Sequence, residues 1–232
     1  MDKIQKIKFI SIWIFFIPFI AINTCLILIT EFQWLFPNQE DIIHNTFPYI
    51  DGGASISRTV RPYPSWLIFK PAMLLTSFLL IKYWLYIKDI VKSFEDNNKY
   101  LKKILFFGIS SAVALTIHSI FLGITFDNDL YKLFRRVILF TFIIFEITAQ
   151  AYLVRALYSF RNRLKNYIYK RVLKMKLVLV SLLVVTAVIS IPIISMPGDK
   201  FKFLKHALEW NYFLGVIAFY LLTFFMWKNK SN

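Results

Sequence analysis

Long apolar runs separated by short polar connections dominate the chain. Six of them, at roughly 9–30, 66–87, 104–126, 134–156, 177–196 and 207–227, each hold about the 20 residues that a ~30 Å hydrocarbon layer demands of a helix. The pattern predicts an all-α fold, a polytopic membrane protein with a six-transmembrane-helix bundle. No connection is long enough for a soluble domain, so residues 1–232 read as one membrane domain, and the longest outer loop, about 31–65, reads as a short extracytoplasmic cap.

The first run follows Lys3, Lys6 and Lys8, as a signal peptide would. Its apolar stretch exceeds the usual ~7–15 residue core and no small-x-small cleavage site follows, so a retained first span is expected. The chain is 58% hydrophobic and 19% aromatic with a mean hydropathy of +0.58, yet its formal net charge is +15. That charge must sit outside the hydrocarbon. One cysteine, Cys25, excludes an intrachain disulfide. There is no Cys/His cluster at metal-ligand spacing, no phosphate-cradling glycine loop and no Gly-x-Ser-x-Gly elbow, so neither metal nor cofactor is expected.

Six spans create two sides. The N-terminus, the 88–103 and 155–176 loops, the C-tail and Lys82 place 19 of the 28 Lys and Arg residues on one side, with 9 on the other. The excess marks the cytoplasmic side and predicts both termini there. Trp34, Trp66 and Trp210 fall near predicted outer ends and Trp13, Trp84 and Trp227 near inner ends, which suggests six interfacial anchors.

The densest basic run follows the fourth span. Arg161, Arg163, Lys165, Lys170 and Arg171 are predicted to contact anionic head groups on the cytoplasmic face; Arg155, Lys174 and Lys176 complete eight bases without an acid. The same residues also serve as a plain topology signal. Nucleic acid is not an expected partner, because the flanking aromatics are in the bilayer.

Ionisable residues within the spans are the other candidates, since they cost free energy in hydrocarbon and face a bundle interior or cavity. His118 and Glu146 are candidate catalytic groups, with Gln150 one turn after Glu146. By helical rise His118 lies about 12 Å below the outer end and Glu146 about 15 Å below the Arg135–Arg136 interface, so the two are expected at one depth. His206 and Glu209 enter from the outer end of the last span. Together with Asp51, Arg58 and Arg61 of the outer loop they form a candidate ligand-binding group, and one cavity under that loop is expected. Each also has a plain role: Glu146 and His118 as interhelical hydrogen bonders, Asp51 as a turn former before Gly52-Gly53.

Pro48-Tyr49-Ile50-Asp51-x-Gly53, a Pro-containing stretch running into Phe69-x-x-Ala72-Met73, and His206-Ala207-Leu208-Glu209-Trp210-Asn211 resemble the Frag/DRAM/Sfk family of membrane proteins. That family includes the damage-regulated autophagy modulators and the Golgi factor for GPI-anchor lipid remodelling. This chain departs from the family's loop in placing Ser55-Ile56-Ser57-Arg58 before its prolines. The resemblance implies six spans, cytoplasmic termini and a non-enzymatic protein that organises or senses membrane lipid or holds a protein partner. An integral membrane enzyme is the alternative, with Glu146 or His118 as general base and Arg58 or Arg61 holding a lipid phosphate. A transporter is weaker, since helix-breaking residues at the midplane are scarce. A bacterial inner membrane and a eukaryotic endomembrane or plasma membrane fit equally well.

Overall fold

The computed structural model describes residues 3–38, 42–124, 128–195 and 201–228, without the side chains of 132 and 191–195. Lys200 and Lys230, both counted in the charge asymmetry, lie outside the described residues. Among the described residues there are seven α-helices: α1 (Lys3–Glu31), α2 (Ile56–Val60), α3 (Ser65–Phe94), α4 (Leu101–Phe121), α5 (Asp129–Ser159), α6 (Lys170–Ser195) and α7 (Lys202–Met226). All but α2 are long and apolar enough to cross a membrane. This is the predicted all-α six-span architecture.

Each long helix packs on its neighbours in sequence, and α7 closes the ring against α1. The reason lies in the faces. In α1 the buried positions Ile7, Ile10, Ser11, Ile14, Pro18, Ala21, Ile22, Cys25, Leu26 and Ile29 recur every three to four residues. The opposite face is as apolar as the buried one, with Phe9, Trp13, Ile20 and Ile27 exposed. Leu182, Val185, Val188 and Ile189 of α6 likewise point outward. A helix apolar all round needs an apolar solvent, and this outer belt supplies a lipid-facing surface.

Contacts at the ends fix which termini share a face. Lys3 pairs with Asp89 at 3.3 Å, joining the start of α1 to the end of α3. Tyr169 N donates to Met226 O at 2.9 Å and Lys228 N to Tyr167 O at 2.8 Å, so α6 begins where α7 ends. The opposite face carries the 46–61 loop and the starts of α3, α5 and α7.

Three of the six tryptophans correct the anchor expectation. Trp84, Trp210 and Trp227 are fully buried, whereas Trp34 is 80% exposed. Trp84 lies on the α4 backbone at Gly108, where any Cβ would overlap its indole ring. A small residue on one helix and a large ring on the next let the helices approach closely.

Candidate functional site

The outer loop is bound to the first turns of α7 through main-chain groups. Gly52 O accepts from His206 Nδ1 at 2.9 Å, Ala54 O from Trp210 Nε1 at 2.9 Å, and Tyr49 O from Asn211 Nδ2 at 2.7 Å. The Glu209 carboxylate accepts from the amides of Ile56 and Ser57 at the start of α2. The Tyr49 and Trp210 rings meet edge to face, 4.9 Å between centroids. Tyr49 also donates its hydroxyl to Asn23 of α1 at 3.2 Å, and burial raises its phenol above the usual value despite that bond.

Asp51 organises the loop's tip. Its carboxylate accepts from Thr46 Oγ1 at 2.7 Å, Phe47 N at 2.6 Å and Gly53 N at 2.7 Å. Desolvation opposes ionisation here, but these three donors prevail and hold the carboxyl below its ordinary value. Gly52 is at φ 64° with its α-carbon against the Phe203 carbonyl, so the loop's closest approach to α7 needs glycine. Arg58 and Arg61 are exposed; Arg61 Nη2 donates to Ser57 Oγ at 2.7 Å.

Glu146 lies elsewhere, wholly buried in the bundle. Ser111 Oγ of α4 donates to its Oε2 at 2.6 Å, Gln150 Nε2 to its Oε1 at 3.0 Å, and the Tyr220 hydroxyl of α7 to the same Oε1. Gln150 Nε2 also reaches Val216 O at 3.2 Å. Nearby, Lys176 of α6 is fully buried, its Nζ 2.6 Å from Thr223 Oγ1 and 3.6 Å from the Phe219 ring centroid. Thr223 Oγ1 is 3.4 Å from the Tyr83 hydroxyl, and the Tyr83 and Tyr220 rings are in edge contact at 4.9 Å. Five helices thus contribute to one interior polar assembly.

Two expectations change. Glu146 pairs with Ser111, seven residues or about 10 Å of rise from His118, so the two candidate bases are at different depths. The expected depth of Glu146 depends on Arg135 marking the interface. Arg135 instead lies within electrostatic range of His118, inside the helical end that begins at Asp129. Among the described residues no hydrogen bond joins any two of His118, Glu146, His206 and Glu209. Lys176 is also not a surface base of the 155–176 connection. Its signal was present in the spacing, because Leu173, Lys176, Val180 and Leu183 form one buried stripe of α6.

The rest of that connection is a folded platform. Phe160, Leu164 and Ile168 are buried at four-residue intervals, while Arg161, Arg163, Lys165, Lys170 and Arg171 are exposed. Phe160 stacks on Phe94 of α3 at 6.2 Å, and Arg163 Nη1 donates to Phe94 O at 2.9 Å. Lys228 Nζ donates to Lys165 O at 3.2 Å, tying the platform to the end of the last span. Among the described residues no group of three or more His, Cys, Asp and Glu could hold a metal ion. No family model, curated protein or solved structure matches the chain.

Proposed function

We propose that this multi-pass membrane protein is lipid-engaging and non-enzymatic, of the Frag/DRAM/Sfk type, and that the basic connection between α5 and α6 holds anionic head groups of the cytoplasmic leaflet. The observation that carries this reading is the rigid display of Arg161, Arg163, Lys165, Lys170 and Arg171 around a buried Phe160–Leu164–Ile168 spine. Near an anionic leaflet each base contributes about 1 kcal/mol, and a pre-folded platform loses little conformational entropy when it engages one. The excess of Lys and Arg on the same face supports its cytoplasmic placement.

Glu146 supports the non-enzymatic side. It is wholly enclosed, with Ser111 of α4 on one carboxyl oxygen and Tyr220 of α7 on the other, the arrangement of interhelical glue rather than of a base that meets substrate. The family side draws support from the two stretches that carry the resemblance: Tyr49 to Gly52 and His206 to Asn211 are hydrogen-bonded to one another.

The test is lipid carried through purification. The full chain, passed through mixed anionic and zwitterionic lipid in detergent and quantified by mass spectrometry, is expected to retain anionic lipid several-fold over input. Replacing the five exposed bases with glutamine, or raising salt so that the ~8 Å screening length shortens, should remove most of that enrichment. Unchanged enrichment under both treatments would overturn the reading.

A further inference from the structure

The α4–α5 pair carries a stripe of aromatic rings on its open side. On α4, Tyr100, Lys103 and Phe107 recur every three to four residues, and on α5, which runs the other way, Phe145, Tyr152 and Arg155 share one face. The rings meet in an unbroken series. Tyr100 stacks on Tyr152 at 5.9 Å between centroids and Tyr152 on Phe107 at 6.0 Å; Phe107 meets Phe145 edge to face at 5.3 Å, and Phe145 reaches Phe106 at 6.2 Å. None of the five is buried, and Phe106 is 62% exposed.

Three cations are set on one end of this stripe, where α4 begins and α5 ends. Lys99 Nζ stands 5.2 Å and the Arg155 guanidinium 5.5 Å from the Tyr100 ring centroid, and Lys103 Nζ 5.3 Å from that of Tyr152. Among the described residues none of these three side chains makes an ion pair or a hydrogen bond. Of the two acids in the α3–α4 turn, Glu95 accepts from Asn98 Nδ2 at 2.6 Å, and Asp96 is exposed and pairs with none of the three.

Bases that only mark topology need no particular neighbours. These three are held over ring faces, which attract a cation and restrict its position while its N–H donors stay open to solvent. Charge at the interfacial end and half-exposed rings along the turns that follow match the two parts of a phospholipid. We propose that Lys99, Lys103 and Arg155 hold the phosphate of an anionic phospholipid whose acyl chain lies along the aromatic stripe of α4 and α5. The site deepens the lipid engagement proposed above but stands on separate residues, since Arg161, Arg163, Lys165, Lys170 and Arg171 take no part in it.

The test reads which lipid stands beside the stripe. In a Cys25→Ser background of the full chain, Phe106→Cys carries a thiol-linked fluorophore; Phe9→Cys, 59% exposed in the parent and equally near the start of its helix, carries the same label as a control. Each protein is reconstituted in phosphatidylcholine vesicles containing a small fraction of phosphatidylglycerol or phosphatidylcholine, both bearing the same nitroxide-labelled acyl chain. At position 106 the nitroxide phosphatidylglycerol is expected to quench several-fold more efficiently than the nitroxide phosphatidylcholine, and at position 9 the two should be nearly equal. Lys103→Gln with Arg155→Gln should remove the preference at 106, whereas the five-glutamine variant of the basic connection should keep it. Equal quenching by the two lipids at 106, the same preference at 9 as at 106, or a preference retained by the folded Lys103→Gln/Arg155→Gln protein overturns the proposal. So does its loss in the five-glutamine variant, which would assign the preference to the basic connection. If the double variant does not fold, the contrast between positions 106 and 9 decides. A preference at 106 in a protein that carries no anionic lipid through purification would sink the earlier reading and leave this site standing.

Discussion

Glu146→Leu, set beside Glu146→Gln, measures how much the bundle depends on its interior polar assembly. The partner atoms fix the outcome. With leucine at 146, Ser111 Oγ keeps Gly108 O at 2.8 Å and Gln150 Nε2 keeps Val216 O at 3.2 Å. The Tyr220 hydroxyl, fully buried, loses its acceptor. Leaving one buried hydroxyl unsatisfied costs about 1–3 kcal/mol in a protein core, and interhelical hydrogen bonds within bilayers average less, ~0.6 and at most ~1.7 kcal/mol, so about 1 kcal/mol is expected.

Glutamine preserves the pattern. Its carbonyl oxygen accepts from Tyr220 and Gln150, and its amide donates to Ser111 Oγ, whose own proton turns to Gly108 O, 2.8 Å away. Glu146→Gln should therefore lie within about 0.5 kcal/mol of the parent. Adding Tyr220→Phe to Glu146→Leu removes the orphaned hydroxyl and should restore most of the loss, because deleting both partners is nearly neutral where deleting one is not. Reversible unfolding in mixed detergent micelles, followed by circular dichroism, gives all four stabilities. If Glu146→Gln falls as far as Glu146→Leu, or the double variant is no more stable than Glu146→Leu, the hydrogen-bond account is wrong.

Lys176→Met should leave the protein as stable or about 1 kcal/mol more stable in the same assay, since one acceptor, Thr223 Oγ1, offsets little of the desolvation of a buried ammonium; a clear loss would show that the Thr223 and Phe219 contacts outweigh it. Gly52→Ala should loosen the cap by about 1 kcal/mol or more, read as faster amide exchange over 46–57, because φ 64° and the Phe203 carbonyl both disfavour a Cβ. The cap should also loosen with acid: Asp51 ionises more readily in the folded loop, so its contribution is complete above the ordinary aspartate value of 3.8 and is lost as pH falls through its lower folded value, a response that Asp51→Asn should abolish. In a Cys25→Ser background, Ile50→Cys, 81% exposed in the parent, should react with an impermeant thiol reagent on intact cells, whereas Asn97→Cys and Asn166→Cys should react only after permeabilisation; equal labelling of all three would refute the orientation.

Span number and type were legible because hydrocarbon thickness constrains every helix alike and leaves a length signal in the chain. Side-chain depth was not. The depth of a residue such as His118 or Glu146 follows from where its span ends, and an error in that end moves it by a whole turn: with Arg135 as the interface, Glu146 comes out at the wrong level. Tryptophan position misled for a related reason. Trp84 and Trp210 sit near span ends, as anchors do, but whether an indole turns to lipid or to the core depends on the facing helix. Gly108 and the Ala54 carbonyl are 24 residues after Trp84 and 156 before Trp210, respectively, beyond any local pattern. Lys176 was legible after all, since its spacing from Leu173, Val180 and Leu183 outweighs its proximity to Lys174.

The ring order itself needs an explanation that apolar packing does not give. In lipid, all faces of α1 and α6 are nearly equivalent, so burial alone does not choose which helices meet or at what rotation. The interior polar groups can choose. Glu146 is satisfied only where α4 offers Ser111 and α7 offers Tyr220, and Lys176 only where α7 turns Thr223 toward α6. Each pairing fixes a rotation as well as a neighbour, and α7, the last span, takes part in both. The first turns of that helix also carry His206, Glu209, Trp210 and Asn211, which bind the outer loop. A single rotation of α7 therefore serves the core and the cap together: turning it by one residue's ~100° to break the Tyr220 contact would also withdraw these groups from the loop backbone. This makes α7 the keystone of the fold, because the contacts that seat the cap and those that satisfy the bundle's polar interior depend on the same rotation.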